Sequence, residues 1–173
     1  IQSTTKLTEV NKWYHIALTM DGSTCRLFID GKLEGTATIG SFGGTGYLGI
    51  GNAYQQSAAY CVRGYISNVR LTRGQALYTS NFTPSTEPLT TTSQGATASN
   101  VKLLCCQNTT VNGSTVNASG GWASNVGTPV AKTFSPFLDA ESPSNEFGEE
   151  GDQNIIKCGS FQGTGSDQKI YLG

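Results

Sequence analysis

Charge is scarce in this chain. Lys and Arg number 11 and Asp and Glu 12 among 173 residues, for a formal net charge of −1. No basic block stands out, which excludes the phosphate-neutralising surface that nucleic-acid binding requires. Histidine occurs once, as His15, and there is no Cys-x-x-Cys pair, so a zinc site is excluded as well. No apolar run approaches the ~18 residues of a membrane-spanning helix. No window sustains a 3.6-residue apolar period, which rules out long amphipathic helices. Residues 1–18 lack the basic start and apolar stretch of a secretion signal. The cysteines are Cys25, Cys61, Cys105, Cys106 and Cys158, an odd number with two adjacent. A disulfide scaffold shows even numbers at short spacings. The pattern therefore reads as reduced, mostly buried thiols in a protein made in a cytoplasm.

Glycine, serine, threonine and asparagine fill the space that charge leaves. Thr suits a pleated surface, while Gly and Asn supply positive-φ turn positions, so the composition favours strands with many turns. The clearest pattern is "WYHIALTMDGSTCRLFIDGKLEGTATIG". Residues 13–20 alternate as a strand, with Trp13, His15, Ala17 and Thr19 on one face and Tyr14, Ile16, Leu18 and Met20 on the other. Asp21-Gly22 and Asp30-Gly31 are hairpin-turn dipeptides. Residues 24–30 form the return strand, with Cys25, Leu27 and Ile29 on one face, and "LEGTATI" the third strand of a meander.

"YLGIGN" reads as a short strand, and a longer one is expected over 64–72. Ile66, Val69 and Leu71 are spaced three and then two apart, and a bulge at Ser67-Asn68 would bring all three to one core face. Residues 73–89 turn rich in Ser, Thr and Pro and read as an extended strap over the surface. "VKLLCCQ" is a further strand. Cys105 and Cys106 then point to opposite faces and stay unbonded, because a bond between neighbours would be strained.

Together "WYHIALTMDGSTCRLFIDGKLEGT", "YLGIG" and "GYISNVRLTRGQAL" resemble the laminin-G-like, concanavalin-A-like jelly roll over residues 5 to 107. The blocks correspond to the later half of such a domain. The resemblance implies an all-β, antiparallel two-sheet jelly-roll sandwich lacking its N-terminal half, at residues 1–107. A Ser/Thr/Asn/Gly-rich excursion and acidic linker would follow at 108–153, then the start of a second β-rich module at 154–173. More narrowly, "RLTRGQALYTSNFTPSTEPLT", "VKLLCCQ" and "FSPF" look like a form of this domain in virion proteins of tailed bacteriophages, especially marine and cyanobacterial ones. "IIKCGSFQGTGSDQKIYLG" looks like the module that follows it there.

No catalytic constellation emerges. His15 lacks a nucleophile motif or an acidic partner pattern and reads as structural. Glu141, Glu146, Glu149, Glu150 and Asp152 lie in a Pro- and Gly-containing linker, where a glycosidase pair could not be held at a set separation. Members of the resembled family often carry calcium or glycan at the rim loops. The rim candidates here are Asp21, Asp30, Asn52, Tyr54, Gln55, Gln56 and Tyr60. Of these, Asn52, Tyr54, Gln55, Gln56 and Tyr60 combine aromatics and amides suited to sugar rings. No calcium motif is present, and neither a metal nor a cofactor is expected. Asn81, Asn108, Asn112 and Asn117 begin Asn-x-Ser/Thr sequons, which in a phage protein are only Thr-rich turns.

The expected function is non-enzymatic: a structural and adhesive segment of a tail-fibre, baseplate or capsid-surface fibre protein, made in the host cytoplasm and carried on the virion. Its expected partners are other virion subunits, in a homo-oligomer such as a trimer, and host-surface polysaccharide. Two alternatives differ in kind. A carbohydrate-active enzyme needs paired acids on facing strands, and a secreted eukaryotic adhesion module needs glycans on the sequons.

Overall fold

The structure is a computed structural model that describes residues 1–9, 12–40, 46–51, 62, 64–118, 124–125, 129–132, 135–137, 159–163 and 168–169. The architecture is all-β. Its strands are β1 (Ile16–Asp21), β2 (Thr24–Ile29), β3 (Lys32–Thr38), β4 (Gly46–Gly49), β5 (Val69–Thr72), β6 (Val101–Cys105), β7 (Ser114–Asn117), β8 (Ser124–Asn125), β9 (Gly159–Gly163) and β10 (Gln168–Lys169). Among the described residues helix is limited to two single 3-10 turns, Ser93–Gly95 and Ala98–Asn100. Two three-stranded antiparallel sheets, β1-β2-β3 and β5-β6-β7, form the frame, consistent with the jelly-roll sandwich. A third sheet runs in the order β10-β4-β9-β8, with β10 parallel to β4.

Local chemistry explains the first sheet. Asp30 and Gly31 both adopt positive φ, at 49° and 75°, the requirement of the tight turn that joins β2 to β3. The turn between β1 and β2 is centred on Gly22 and Ser23, one residue later than expected, and Asp21 ends β1 paired with Thr24. β1 starts three residues later than expected, at Ile16. Before it, Asp30 ties down His15 twice: its backbone N–H donates to the His15 carbonyl at 2.7 Å, and its carboxylate accepts from the His15 N–H at 2.8 Å. Residues 1–5 lie along β3. The Glu34 carboxylate accepts hydrogen bonds from the backbone N–H and hydroxyl of both Thr4 and Thr5, which hold it well below the usual carboxylate range, at about 2.

β5 is shorter than expected, because Asn68 adopts φ 54° and takes the chain out of the ladder just before Val69. That kink does what the predicted bulge was to do. Ile66, Val69 and Leu71 all pack into one cluster with Leu48, Ile50, Leu103 and Cys105. A second irregularity lies opposite. The β5–β6 register jumps from Leu71↔Leu103 to Thr72↔Val101, skipping Lys102. The jump turns Val101 to the other face of the sheet, where it joins Leu104, Leu89 and Ala96. β6 is thus buried on both faces.

The Ser/Thr/Pro-rich segment from 73 to 100 covers that second face and then reaches the first sheet. Leu77 contacts both clusters, and its neighbour Tyr78 packs with Phe82 on Ala17 and Phe28. Tyr78 and Phe82 stack with ring centroids 3.5 Å apart, and His15 meets both rings edge-on. The clasp at the other end is Arg70, which is 9% exposed. Its guanidinium donates to the carbonyls of Thr90 and Ser93 and to the Ser93 hydroxyl at 2.8–2.9 Å. The basic character of the 64–73 stretch therefore serves packing: a buried cation is satisfied by the carbonyls of the strap it holds.

Candidate functional site

The end of the β5–β6 ladder opens into a cavity of about 290 Å³. Its walls come chiefly from residues 65–68, the 106–113 turn, and residues 129–132 with Ser135. Two left-handed residues face each other at its base. The Asn68 N–H donates to the Cys106 carbonyl at 3.0 Å, and Cys106 itself has φ 60°. Both chains leave the ladder there, which creates the opening.

A polar floor holds this geometry. The Asn68 amide oxygen accepts from the Leu89 N–H at 3.0 Å and from the Gln107 amide at 2.8 Å. The same Gln107 nitrogen donates to the Leu89 carbonyl at 2.6 Å. Asn68 is 6% exposed, so these bonds satisfy a buried amide whose loss would leave donors orphaned. The far wall is a compact turn between β6 and β7. The Asn108 side chain accepts from the Thr110 N–H at 3.0 Å, the Gly113 N–H donates to the Thr110 carbonyl at 2.9 Å, and Asn112 adopts φ 62°. A side chain at Gly113 would overlap the Asn108 amide. The Asn112-Gly113 dipeptide between β-prone residues is the sequence signal for this hairpin, and it lies inside the stretch read mainly as an excursion.

The lining is rich in amides, hydroxyls and apolar side chains. Tyr65, Asn108, Thr109 and Asn112 stand beside Val111 and Val130, and Lys132 is the sole charged side chain among the described lining residues. Val111 and Val130 are 39% and 59% exposed.

The structure disposes of the sequence candidates unevenly. Asn52, Tyr54, Gln55, Gln56 and Tyr60 lie outside the described residues. The ends of their segment are joined by a hydrogen bond from the Val62 N–H to the Gly51 carbonyl at 2.8 Å, and Ile50, just before it, lines the cavity. Asp21 is exposed at the end of β1, and Asp30 is occupied by His15. Glu141, Glu146, Glu149, Glu150 and Asp152 also lie outside the described residues. His15 sits in the aromatic cluster with neither ring nitrogen hydrogen-bonded among the described residues, and burial lowers its pKa. The Asn81 side chain accepts from the Leu33 N–H at 2.8 Å, and Asn108 is engaged in its turn. Among the described residues no three His, Cys, Asp or Glu side chains gather into a group that could hold a metal ion, and no helix is long and apolar enough to cross a membrane.

One expectation about the cysteines is overturned. Cys105 and Cys106 do not point to opposite faces. Cys106 lies just past the end of β6, and its left-handed φ swings its thiol back, so the two Sγ atoms approach to 3.7 Å and share one S–H. Both pack in the same cluster. Cys25, Cys105 and Cys106 are free thiols.

Residues 1–80 match the family profile described as the concanavalin A-like lectin/glucanases superfamily, of the laminin G type. The similarity covers under half of the chain, and the superfamily's name spans both sugar-binding and sugar-cleaving proteins. The matched segment includes β1 to β5 and one wall of the cavity, while the 106–113 turn, residues 129–132 and Ser135 lie beyond it. No curated protein and no solved structure matches the chain.

Proposed function

We propose that this chain is a non-catalytic carbohydrate-binding module, and that it serves in the virion of a tailed bacteriophage as part of a tail fibre, baseplate or capsid-surface fibre. The observation that carries the binding reading is the lining of the cavity. Amides and hydroxyls converge with Tyr65 on a space bordered by apolar side chains, and the described lining residues include no carboxylate. Sugars are recognised by such a set: a ring face packs on an aromatic or apolar side chain, while amides pair with hydroxyls. Glycoside hydrolysis instead needs two carboxylates about 5–9.5 Å apart across the scissile bond. The superfamily match at residues 1–80 supports a sugar ligand. The virion reading is supported by the resemblance of "RLTRGQALYTSNFTPSTEPLT" and "VKLLCCQ" to phage structural proteins. In that setting the chain is made in the host cytoplasm, assembles with other virion subunits as a homo-oligomer, and meets polysaccharide on the host surface.

The test is an array of bacterial surface polysaccharides probed with the fluorescent chain, with Tyr65→Ala and Thr109→Val as variants. The expected outcome is binding to neutral glycans that falls at least about tenfold in Tyr65→Ala, the size of one lost stacking contact, with cooperative melting retained. Failure to bind any glycan, or release of reducing sugar from one, would overturn the reading.

A further inference from the structure

The vicinal thiols at the base of the cavity are used by nothing described so far. Three features set them apart from packed, inert cysteines. The Sγ atoms lie 3.7 Å apart, close to contact. The pair is asymmetric in access: Cys105 is 1% exposed inside the core, whereas Cys106 is half-buried and lines the cavity. The backbone of Cys106 is pinned in its left-handed conformation, since its carbonyl accepts from the Asn68 N–H at 3.0 Å. An accessible thiol with a protected neighbour in reach is the arrangement of a nucleophile and its resolving partner.

We propose that Cys105 and Cys106 form a thiol–disulfide exchange site that accepts a small disulfide of the glutathione type through the cavity. The Cys106 thiolate attacks one sulfur of the incoming R–S–S–R, whose S–S bond breaks, and one R–S⁻ leaves and takes a proton from water. Cys106 then carries the other half as a mixed disulfide. Cys105 gives up its proton and attacks the Cys106 Sγ, expelling the second R–S⁻, which is protonated in turn. The balance is one small disulfide reduced to two thiols and two protein thiols oxidised to one Cys105–Cys106 bond. Closing the bond brings the sulfurs from 3.7 Å to about 2.05 Å. A disulfide between neighbours is strained and therefore easily reduced, which makes the site one that cycles.

Access assigns the two roles: Cys106 lines the cavity and meets the incoming disulfide, while Cys105 lies inside the core. Sharing of the S–H between the two sulfurs favours the Cys106 thiolate. That same sharing, together with burial, keeps Cys105 protonated. Burial also raises Cys25, which leaves it unreactive. Lys132 adds a positive charge to the cavity wall, suited to a thiolate and to an anionic disulfide.

The test uses the full chain, reduced and then exposed to oxidised glutathione, with mass analysis of the tryptic peptide spanning residues 103–132. That peptide holds Cys105 and Cys106 and no other cysteine. The expected product in the unaltered protein is the peptide lighter by two hydrogens, with no glutathione retained. In Cys105→Ser the expected product is a stable glutathione adduct on Cys106, because the resolving thiol is gone. Alkylation at neutral pH should reach Cys106 at least about tenfold faster than Cys25. Two results would overturn the proposal: glutathione held permanently on Cys106 of the unaltered protein, or no reaction at the pair while Cys25 reacts. Because the unaltered chain alone separates these outcomes, a Cys105→Ser variant that fails to fold leaves the test intact.

Discussion

Asp30 and Gly31 show how much one turn can carry. Their positive φ values close the β2–β3 hairpin, and Asp30 also grips His15, so the turn aligns the start of β1. Gly31 has a second duty. Its carbonyl accepts the Phe82 N–H at 2.9 Å, and a side chain there would run into the Phe82 carbonyl and the Pro84 ring. Gly22 has a similar φ of 57° but nothing within 4 Å of where a Cβ would sit. The two glycines separate backbone conformation from close approach. Gly22→Ala is expected to cost only the left-handed penalty of about 1–2 kcal/mol. Gly31→Ala adds a backbone clash that cannot relax without moving the strap, and an expected total of about 3 kcal/mol or more follows. Urea unfolding midpoints of the two variants check the difference. Equal losses would mean that the strap gives way freely at Phe82.

The strap from 73 to 100 is an element without regular structure, yet it supplies buried side chains to two clusters. Leu89 and Ala96 fill the face of β6, and Tyr78 and Phe82 fill the face of β1 and β2. Its hold depends on polar clasps, because an extended segment cannot satisfy its own backbone groups. Arg70 is the largest clasp, with three acceptors on residues 90–93. Gln75 adds another, since its amide donates to the Gly95 carbonyl and accepts from the Thr97 N–H, both at 2.9 Å. Replacing Arg70 by Met keeps most of the buried stem and removes the donors. The expected loss is about 2–3 kcal/mol, the scale of hydrogen bonds to a charged group. Hydrogen exchange should quicken at the backbone amides of 90–97 while those of β1 and β2 keep their protection. Uniform quickening would show instead that the strap and the first sheet open as one unit.

At the scale of the molecule, the aromatic joint between strap and first sheet contains the chain's sole histidine. His15 is enclosed by Tyr78 and Phe82, and burial is the main cause of its lowered pKa. Asp30 opposes that effect and Arg70 adds to it. The folded protein therefore binds the His15 proton less readily than the unfolded chain does. Between the folded value and the ordinary value of 6.5, the unfolded state holds more protons, so stability rises with pH through that window and falls on acidification. The melting temperature is expected to drop as pH is lowered from about 7 to 5, the range in which an unfolded histidine titrates. His15→Phe should flatten that slope while filling the same space between the rings. A slope unchanged in His15→Phe would assign the acid sensitivity to other groups.

Features that depend on neighbours along the chain were legible from the residues alone. The β1–β2–β3 meander follows from β-prone runs and from glycine turns, whose φ requirements are local, whereas the alternation expected in β2 breaks at a register shift between Leu27 and Phe28. The convergence of Ile66, Val69 and Leu71 was legible too, because three apolar residues out of phase demand a kink. What the residues did not disclose depends on contacts between distant segments. The register jump that buries β6 on both sides, the Arg70 clasp, and the cavity between residues 65–68 and 106–113 arise only when those segments meet. The clearest case is Cys106. A strand pattern sends neighbouring side chains to opposite faces, and only the packing against Asn68, 38 positions earlier in the sequence, holds Cys106 in the left-handed conformation that returns its thiol to Cys105.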